Sequence, residues 1–250
     1  MLRFIYKNFL PARIRQFIDI FPYLRMPKVD GLKEKRVLVL SPHPDDDIIG
    51  CGGTLHRYHQ MGAEITVVYM TDGRKGNIRH REDKLVSIRK EEARRAGAII
   101  GINRLLFLEN RDSELRTSPG TIKELSEILG DLKPEAVFLP FFLDNHHDHI
   151  ATSQIFFSTS KSVASCMCYS YGIWTPLPAF NVVSDITTCL HTKILALHEH
   201  KSQLEVVDFT EAVKGISRYH SAMNGENGYA ELFIACPSRE YRRLGVTIGW

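Results

Sequence analysis

Four short β-rich apolar runs alternate with helical stretches between Lys35 and Val163, and that alternation limits the possible folds more than any other property of this 250-residue sequence. Arg36–Leu40 (R-V-L-V-L) predicts a first strand, Glu64–Met70 a second, Arg104–Leu108 a third and Ala136–Phe141 a fourth. Between and after them, helices are predicted over Ile49–Met61, Arg81–Ile100, Thr121–Leu132 and Ile150–Val163. Leu85, Ile88, Ala93 and Ala96 give the second helix an apolar stripe at helical spacing. Thr117 or Ser118 is placed to cap the third. Thr71–His80 is polar, contains Gly73 and Gly76, and reads as a loop. Strand and helix in regular turn imply a parallel sheet with helices on both faces and right-handed crossovers. The expected fold class is therefore α/β, a three-layer α/β/α arrangement around a mostly parallel sheet. Beyond Ser165 the pattern predicts strands near Met167–Trp174 and Asn181–Val183 and a helix over Thr192–Gln203.

Composition narrows the class further. The apolar fraction of 44% and charged fraction of 24% are those of an ordinary globular chain, and a chain of this length buries a core without disulfides. The five cysteines are irregularly spaced and read as reduced core thiols; the C-x-C of Cys166 and Cys168 lacks a second pair to complete a zinc knuckle. A net charge of +3 with no recognition motif argues against nucleic acid. No stretch of ~18 apolar residues suggests a membrane span. Residues 1–34 differ from the rest and read as an N-terminal amphipathic extension, leaving 35–250 as one domain. The extension mixes Phe4, Ile5, Phe9, Leu10 and Ile14 with Arg3, Lys7, Arg13 and Arg15, interrupted by Pro11. It lacks the apolar block and cleavage site of a signal peptide. Residues 1–30 suit a helix packed on the domain or on another subunit of a homo-oligomer, or a peripheral contact with an anionic membrane. The expected location is cytoplasmic, at most peripheral to the membrane.

In an open parallel sheet, ligands bind beyond the carboxyl ends of the strands. Two polar clusters fall there: S-P-H-P-D-D-D (Ser41–Asp47) after the first strand and D-N-H-H-D-H (Asp144–His149) after the fourth. Three successive aspartates repel one another, and a divalent cation is the simplest compensation. His43 with one carboxylate and one histidine of the second cluster makes a His/His/Asp set, the three-ligand arrangement of a catalytic zinc site. A remaining carboxylate is free to act as a general base, and another histidine to donate a proton or hydrogen bond. Asp148 can orient a histidine ring. Each cluster has a plainer reading, the aspartates as an acidic helix start and the histidines as a solvated loop. Gly50–Gly53 (G-C-G-G) does not complete a dinucleotide fingerprint, since Leu55 stands where the third glycine belongs; these glycines suit close packing of the first helix.

His43–Asp47 (H-P-D-D-D) and His146–His149 (H-H-D-H) resemble the paired motifs of PIG-L/LmbE-like zinc-dependent N-acetylglucosaminyl deacetylases. Thr71–Gly76 (T-D-G-R-K-G), Arg89–Ala93 (R-K-E-E-A), His200–Gln203 (H-K-S-Q) and Tyr229–Phe233 (Y-A-E-L-F) extend the resemblance in the expected order, over about Arg36–Ala235. The resemblance implies a Rossmann-like fold and removal of the N-acetyl group from an N-acetylglucosamine-type sugar, releasing acetate and a free amine. It implies His43, Asp46 and His149 as ligands of Zn2+ (or another divalent metal such as Fe2+) and Asp45 as general base. His146 would stabilise the oxyanion or protonate the leaving amine, Asp148 would tune His146, and Arg89 would contact the substrate. Asp47 stands where the family usually has Glu. Hydrolysis of another N-acyl amide, or a non-catalytic metal- or sugar-binding module, are the alternatives. Arg74 and Lys75 suit an anionic substrate or a solvated loop.

Overall fold

The computed structural model describes residues 31–159 and 165–250. Seven strands form one sheet: β1 (Arg36–Ser41), β2 (Glu64–Thr71), β3 (Arg104–Asn110), β4 (Ala136–Pro140), β5 (Met167–Tyr171), β6 (Val182–Asp185) and β7 (Ala230–Pro237). Their spatial order is β3-β2-β1-β4-β5-β7-β6. β1 to β5 are mutually parallel, and β7 runs antiparallel to both of its neighbours. The described helices are α1 (Asp46–Gln60), α2 (Glu82–Ile100), α3 (Pro119–Leu132), α4 (His147–Thr159), α5 (Leu190–His198), α6 (Lys201–Leu204), α7 (Phe209–Met223) and α8 (Ser238–Ile248).

The sheet separates two cores. Val37 and Val39 of β1 pack with Ile48 and Leu55 of α1 and with Ala93 and Ala96 of α2. Leu38 and Leu40 face the opposite layer, with Leu125 of α3, Ile155 of α4 and Leu244 of α8. Successive strand residues point to opposite faces, so a strand covered on both sides must be apolar at every position, which is why β1 reads as an unbroken run. The expected three-layer α/β/α arrangement with a mostly parallel sheet is the observed one. Gly50 and Gly53 bring α1 close to its neighbours: a Cβ would lie 2.5 Å from the Tyr171 ring at Gly50 and 2.8 Å from Ile186 at Gly53.

Several boundaries differ from the sequence reading, each for a local reason. Ser118 is the cap of α3; its Oγ accepts from Thr121 N (3.2 Å) while Thr121 Oγ1 accepts from Ser118 N (3.0 Å). The helix expected over Thr192–Gln203 is two pieces, α5 and α6, separated at Glu199 and His200. Glu92 of α2 causes the turn, accepting from Ser202 N (2.8 Å) and Ser202 Oγ (2.7 Å). The boundary drawn between 34 and 35 cuts through packed structure. Glu34 is buried and accepts hydrogen bonds from Tyr58 (2.6 Å) and Tyr169 (2.8 Å). The expectations for residues 1–30, and for the last residues of the helix predicted to reach Val163, lie outside the described residues. Among the described residues no helix is long and apolar enough to cross a membrane. All five cysteines are buried and unpaired.

Candidate functional site

β1 and β4 are adjacent strands whose onward connections leave in opposite directions along the sheet, to β2 on one side and β5 on the other. Their carboxyl ends therefore flank the crevice that open α/β sheets use for ligands. The turn after β1 is held by Ser41, whose Oγ donates to His43 O (2.7 Å) and accepts from Asp47 N (3.1 Å). α1 then begins at Asp46, three residues before the apolar pattern announced it, with Asp46 and Asp47 in its first turn where the helix dipole favours anions. α4 likewise begins at His147, so Asp148 and His149 occupy its first turn.

These two turns bring His43, Asp46 and His149 together. Asp46 Oδ2 lies 3.0 Å from His43 Nδ1 and 3.2 Å from His149 Nε2. His149 is fully buried, yet neither of its ring nitrogens makes a well-formed hydrogen bond. A buried imidazole with no well-formed hydrogen bond is free to bind an ion, and the distances suit one: ligands about 2.0–2.1 Å from a tetrahedral ion stand roughly 3.3 Å apart. His43, His146 and His149 bring ligand atoms within 4.8 Å of one another, and so do His43, Asp112 and Asp148. The residues present thus fit a divalent cation, with more than one donor combination available around His43.

The other expected residues surround this group. Asp45 Oδ1 is 2.8 Å from Arg89 Nη2. Arg89, only 2% exposed, also donates from Nη1 to Gly73 O (3.0 Å). His146 is half-buried, its ring edge-on to His43 (centroids 4.7 Å apart) and roughly parallel to Trp174 (6.5 Å). Asp148 N donates to His146 Nδ1 (3.2 Å), which places the proton of a neutral His146 on Nε2. The Asp148 carboxylate is not on the His146 ring, as the tuning role expected: Oδ2 lies 3.1 Å from His43 Nε2 and accepts from Ser113 N (2.7 Å), while Oδ1 accepts from Leu115 N (3.2 Å). His43, Asp45, Asp46, Arg89 and His146 line one cavity of about 240 Å³ together with Lys75, Asp112, Ser113, Trp174 and Gln203.

Residues 38–160 match the family model described as PIG-L: GlcNAc-PI de-N-acetylase. The chain belongs to the PIG-L family. Among curated proteins it is similar to the diacetylchitobiose deacetylase of Thermococcus kodakarensis, at 27% identity over 220 residues, covering 79% of this chain and 81% of that one. A probable N-acetyl-alpha-D-glucosaminyl L-malate deacetylase 2 of Bacillus anthracis is 32% identical over 130 residues, 48% of this chain and 57% of that protein. Among solved structures, the N,N'-diacetylchitobiose deacetylase of Pyrococcus horikoshii superposes with a TM-score of 0.77 at 26% identity, covering 94% of this chain and 96% of that one.

One residue of this PIG-L site, Asp112, escaped the sequence reading, and Asp144 was placed in the second cluster without a role of its own. Asp112 follows β3 on the same sheet edge; its Oδ1 is 3.4 Å from His43 Nε2 and its Oδ2 accepts from Lys75 N (3.0 Å). An Asp-Ser pair directly after a strand was the available signal. Asp144, fully buried, accepts from His146 N (3.0 Å) and Thr175 N (3.3 Å), with Oδ2 3.7 Å from His149 Nδ1. Asp47, the residue in place of the family Glu, faces away from the cavity. Its Oδ2 accepts from Tyr69 OH (3.1 Å) and burial pushes its carboxyl up to about 7. Arg74 is not a free loop charge; Asp72 Oδ2 holds its Nη2 at 2.6 Å.

Charge in the site is lopsided. Burial would lift the pKa of Asp46, but His149 and His43 hold it well below the ordinary carboxylate range. Burial would depress His43, yet Asp112, Asp148 and Asp46 carry it well above its usual value. Asp45 moves up, chiefly through burial and only partly offset by Arg89. His146 moves down, through burial and then through the neighbouring His43 and His149. Four carboxylates crowd these histidines with Arg89 the only buried guanidinium among the described residues.

Proposed function

We propose that this PIG-L protein is a metal-dependent N-deacetylase that hydrolyses the acetamide of an N-acetylglucosamine-type sugar or conjugate to acetate and the free amine. His43, Asp46 and His149 would hold the ion, and zinc is the ion assigned. Two imidazoles and one carboxylate also suit ferrous iron. The observation that carries the reading is the joint placement of Asp45 and His146 in the wall of one cavity beside that histidine–aspartate group. The deacetylases similar to this chain support the same class of reaction.

A bound divalent ion polarises the carbonyl and lowers the pKa of a coordinated water to roughly 7. The chain's own residues do the rest. Asp45 takes a proton from the attacking water as the new C–O bond forms; Arg89 engages Oδ1, and Oδ2 is the oxygen assigned to the proton. Raising the pKa of a buried carboxylate brings it nearer the operating pH, where a general base is most effective. His146, with Nδ1 committed to Asp148 N, presents Nε2–H to the developing negative charge. The C–N bond then breaks and the amine leaves with the proton. Arg89 acts here by orienting Asp45, and Asp112, Ser113, Lys75 and Gln203 supply polar contacts for sugar hydroxyls.

The test is release of free amine and acetate from a panel of N-acetylglucosaminides, with chelator and with zinc restored. Chelation should abolish turnover and zinc should restore it. Absence of amine release from every member of the panel by metal-loaded protein would refute the reading.

A further inference from the structure

A second cavity, of about 290 Å³, opens beside the first and shares Ile49, Ile173, Trp174 and Phe209 with it. The two differ in chemistry. The first adds carboxylates, imidazoles, Lys75 and Gln203 to its apolar residues. The second lies between the segment after β5 and helix α7, and Trp174, Pro176, Leu177, Phe209, Val213 and Ile216 give it an apolar lining. Its charged neighbours face each other: Lys193 Nζ is 2.6 Å from Glu231 Oε1 and donates to Ile49 O (2.8 Å). His220 moves below its ordinary pKa through burial, which favours the uncharged ring there.

Large exposed apolar side chains also line both cavities. Trp174, 55% exposed, lines both cavities, Val206 (52% exposed) and Val207 line the first, and Ile216 lines the second. An exposed apolar rim leading into an apolar cavity is what a ligand with an apolar portion needs. The relatives act on sugars that share the acetamide and differ in what the sugar carries: a second sugar in diacetylchitobiose, a malate in the Bacillus protein's substrate. A malate carboxylate has no unpaired cation to meet in this second cavity, where Lys193 is already paired.

We infer that the second cavity binds an apolar aglycone, so that this chain acts on an amino-sugar glycoside of amphipathic character, with the acetamide in the polar cavity, the sugar at Trp174 and the aglycone beyond it. The inference rests on the deacetylase reading for its acetamide half only.

The experiment uses full-length, zinc-loaded protein and alkyl glycosides of N-acetylglucosamine from methyl to octyl, in both anomers, below their micellar concentrations. Turnover of the methyl glycoside tests the deacetylase reading. The dependence of affinity on chain length, measured by calorimetry as well as by kcat/KM, tests the cavity. Each added methylene should strengthen binding on the order of threefold up to about hexyl. Ala212→Trp, which fills the cavity from an exposed position on α7, and Ile216→Asp, which charges its rim, should each flatten the octyl-to-methyl ratio within the same variant. A flat chain-length series overturns the inference even where the methyl glycoside is turned over. So does a gain confined to a parallel series of N-acyl chains, or a ratio untouched by both variants. A steep affinity series without turnover retains the cavity and refutes the deacetylase reading.

Discussion

Helix α1 carries buried charge in two places, at its amino end and at its middle, and the two are built differently. At the amino end Asp45 and Asp46, with Asp112 and Asp148 close by, crowd His43 and His149, and neither ring nitrogen of His149 makes a well-formed hydrogen bond. At the middle, one lysine meets one glutamate. Glu231 accepts from Gly53 N (2.9 Å) and Thr54 N (2.8 Å), and Lys193 donates to Glu231 and to Ile49 O. The second group is balanced in charge; the first has an excess of carboxylates, and the buried ring of His149 is left without a well-formed hydrogen bond. Buried charge that is complete in itself fixes structure, whereas buried charge that lacks a counterpart marks where a ligand belongs.

The largest expected break in this contrast comes from the incomplete group. Asp46→Ala should reduce bound zinc from about one ion per chain to nearly none, read by elemental analysis of purified protein. Asp45→Asn should keep the ion and lower kcat by about 10²- to 10⁴-fold. Retention of both metal and turnover in either variant would remove the basis of the contrast. In the balanced group the damage should fall on stability instead. Glu231→Gln or Lys193→Met should each cost about 3–5 kcal/mol in urea denaturation, because each strands the other charge, and the double variant Lys193→Met with Glu231→Gln should recover part of that loss. A double variant as unstable as the sum of the two singles would show that the pair is not the unit.

His200 sharpens the comparison through pH. It is fully buried, and burial pushes its pKa down from 6.5 to about 3. The unfolded chain takes up a proton that the folded one refuses. The stability due to neutral His200 is therefore complete above pH 6.5 and is lost as pH falls towards 3. That loss should amount to a few kcal/mol across the window, and His200→Leu should show a shallower decline in denaturation midpoint between pH 7 and pH 4. An equally steep decline in the variant would assign the acid sensitivity elsewhere. The smallest effect is expected at Asp47→Asn. Asp47 adjoins two site carboxylates yet bonds Tyr69 behind the cavity, so kcat should change by less than about tenfold, against the much larger loss at Asp45.

The first four strands and their helices were legible because each has a period of its own, and the polar clusters stood out because they interrupt that period at strand ends. The C-terminal part was harder to read. α7 turns Thr210, Val213, Ser217 and Ser221 inward, so its buried face is mostly small and polar. β7 contains Glu231, a charge in a buried strand, which makes sense only with Lys193 and the amides of α1 in view. At the site, the two motifs could be brought together from sequence because they end neighbouring strands, and the family resemblance singled out Asp46 and His149 to join His43. That Asp148 faces His43 and not the His146 ring depends on where the segment after β3 places Ser113 and Leu115 N–H, which no spacing reveals.

The antiparallel position of β7 has a consequence for the order in which the protein matures. β7 is the last strand in the chain, yet it lies inside the sheet, between β5 and β6, and its Glu231 grips the helix that follows the first motif. During synthesis, His43 to Asp46 emerge about 190 residues before the side chain that fastens their helix, an interval on the order of ten seconds or more at ordinary elongation rates. A nascent chain released before β7 would carry both motifs and still leave α1 unclamped, so the catalytic edge waits on a strand made much later.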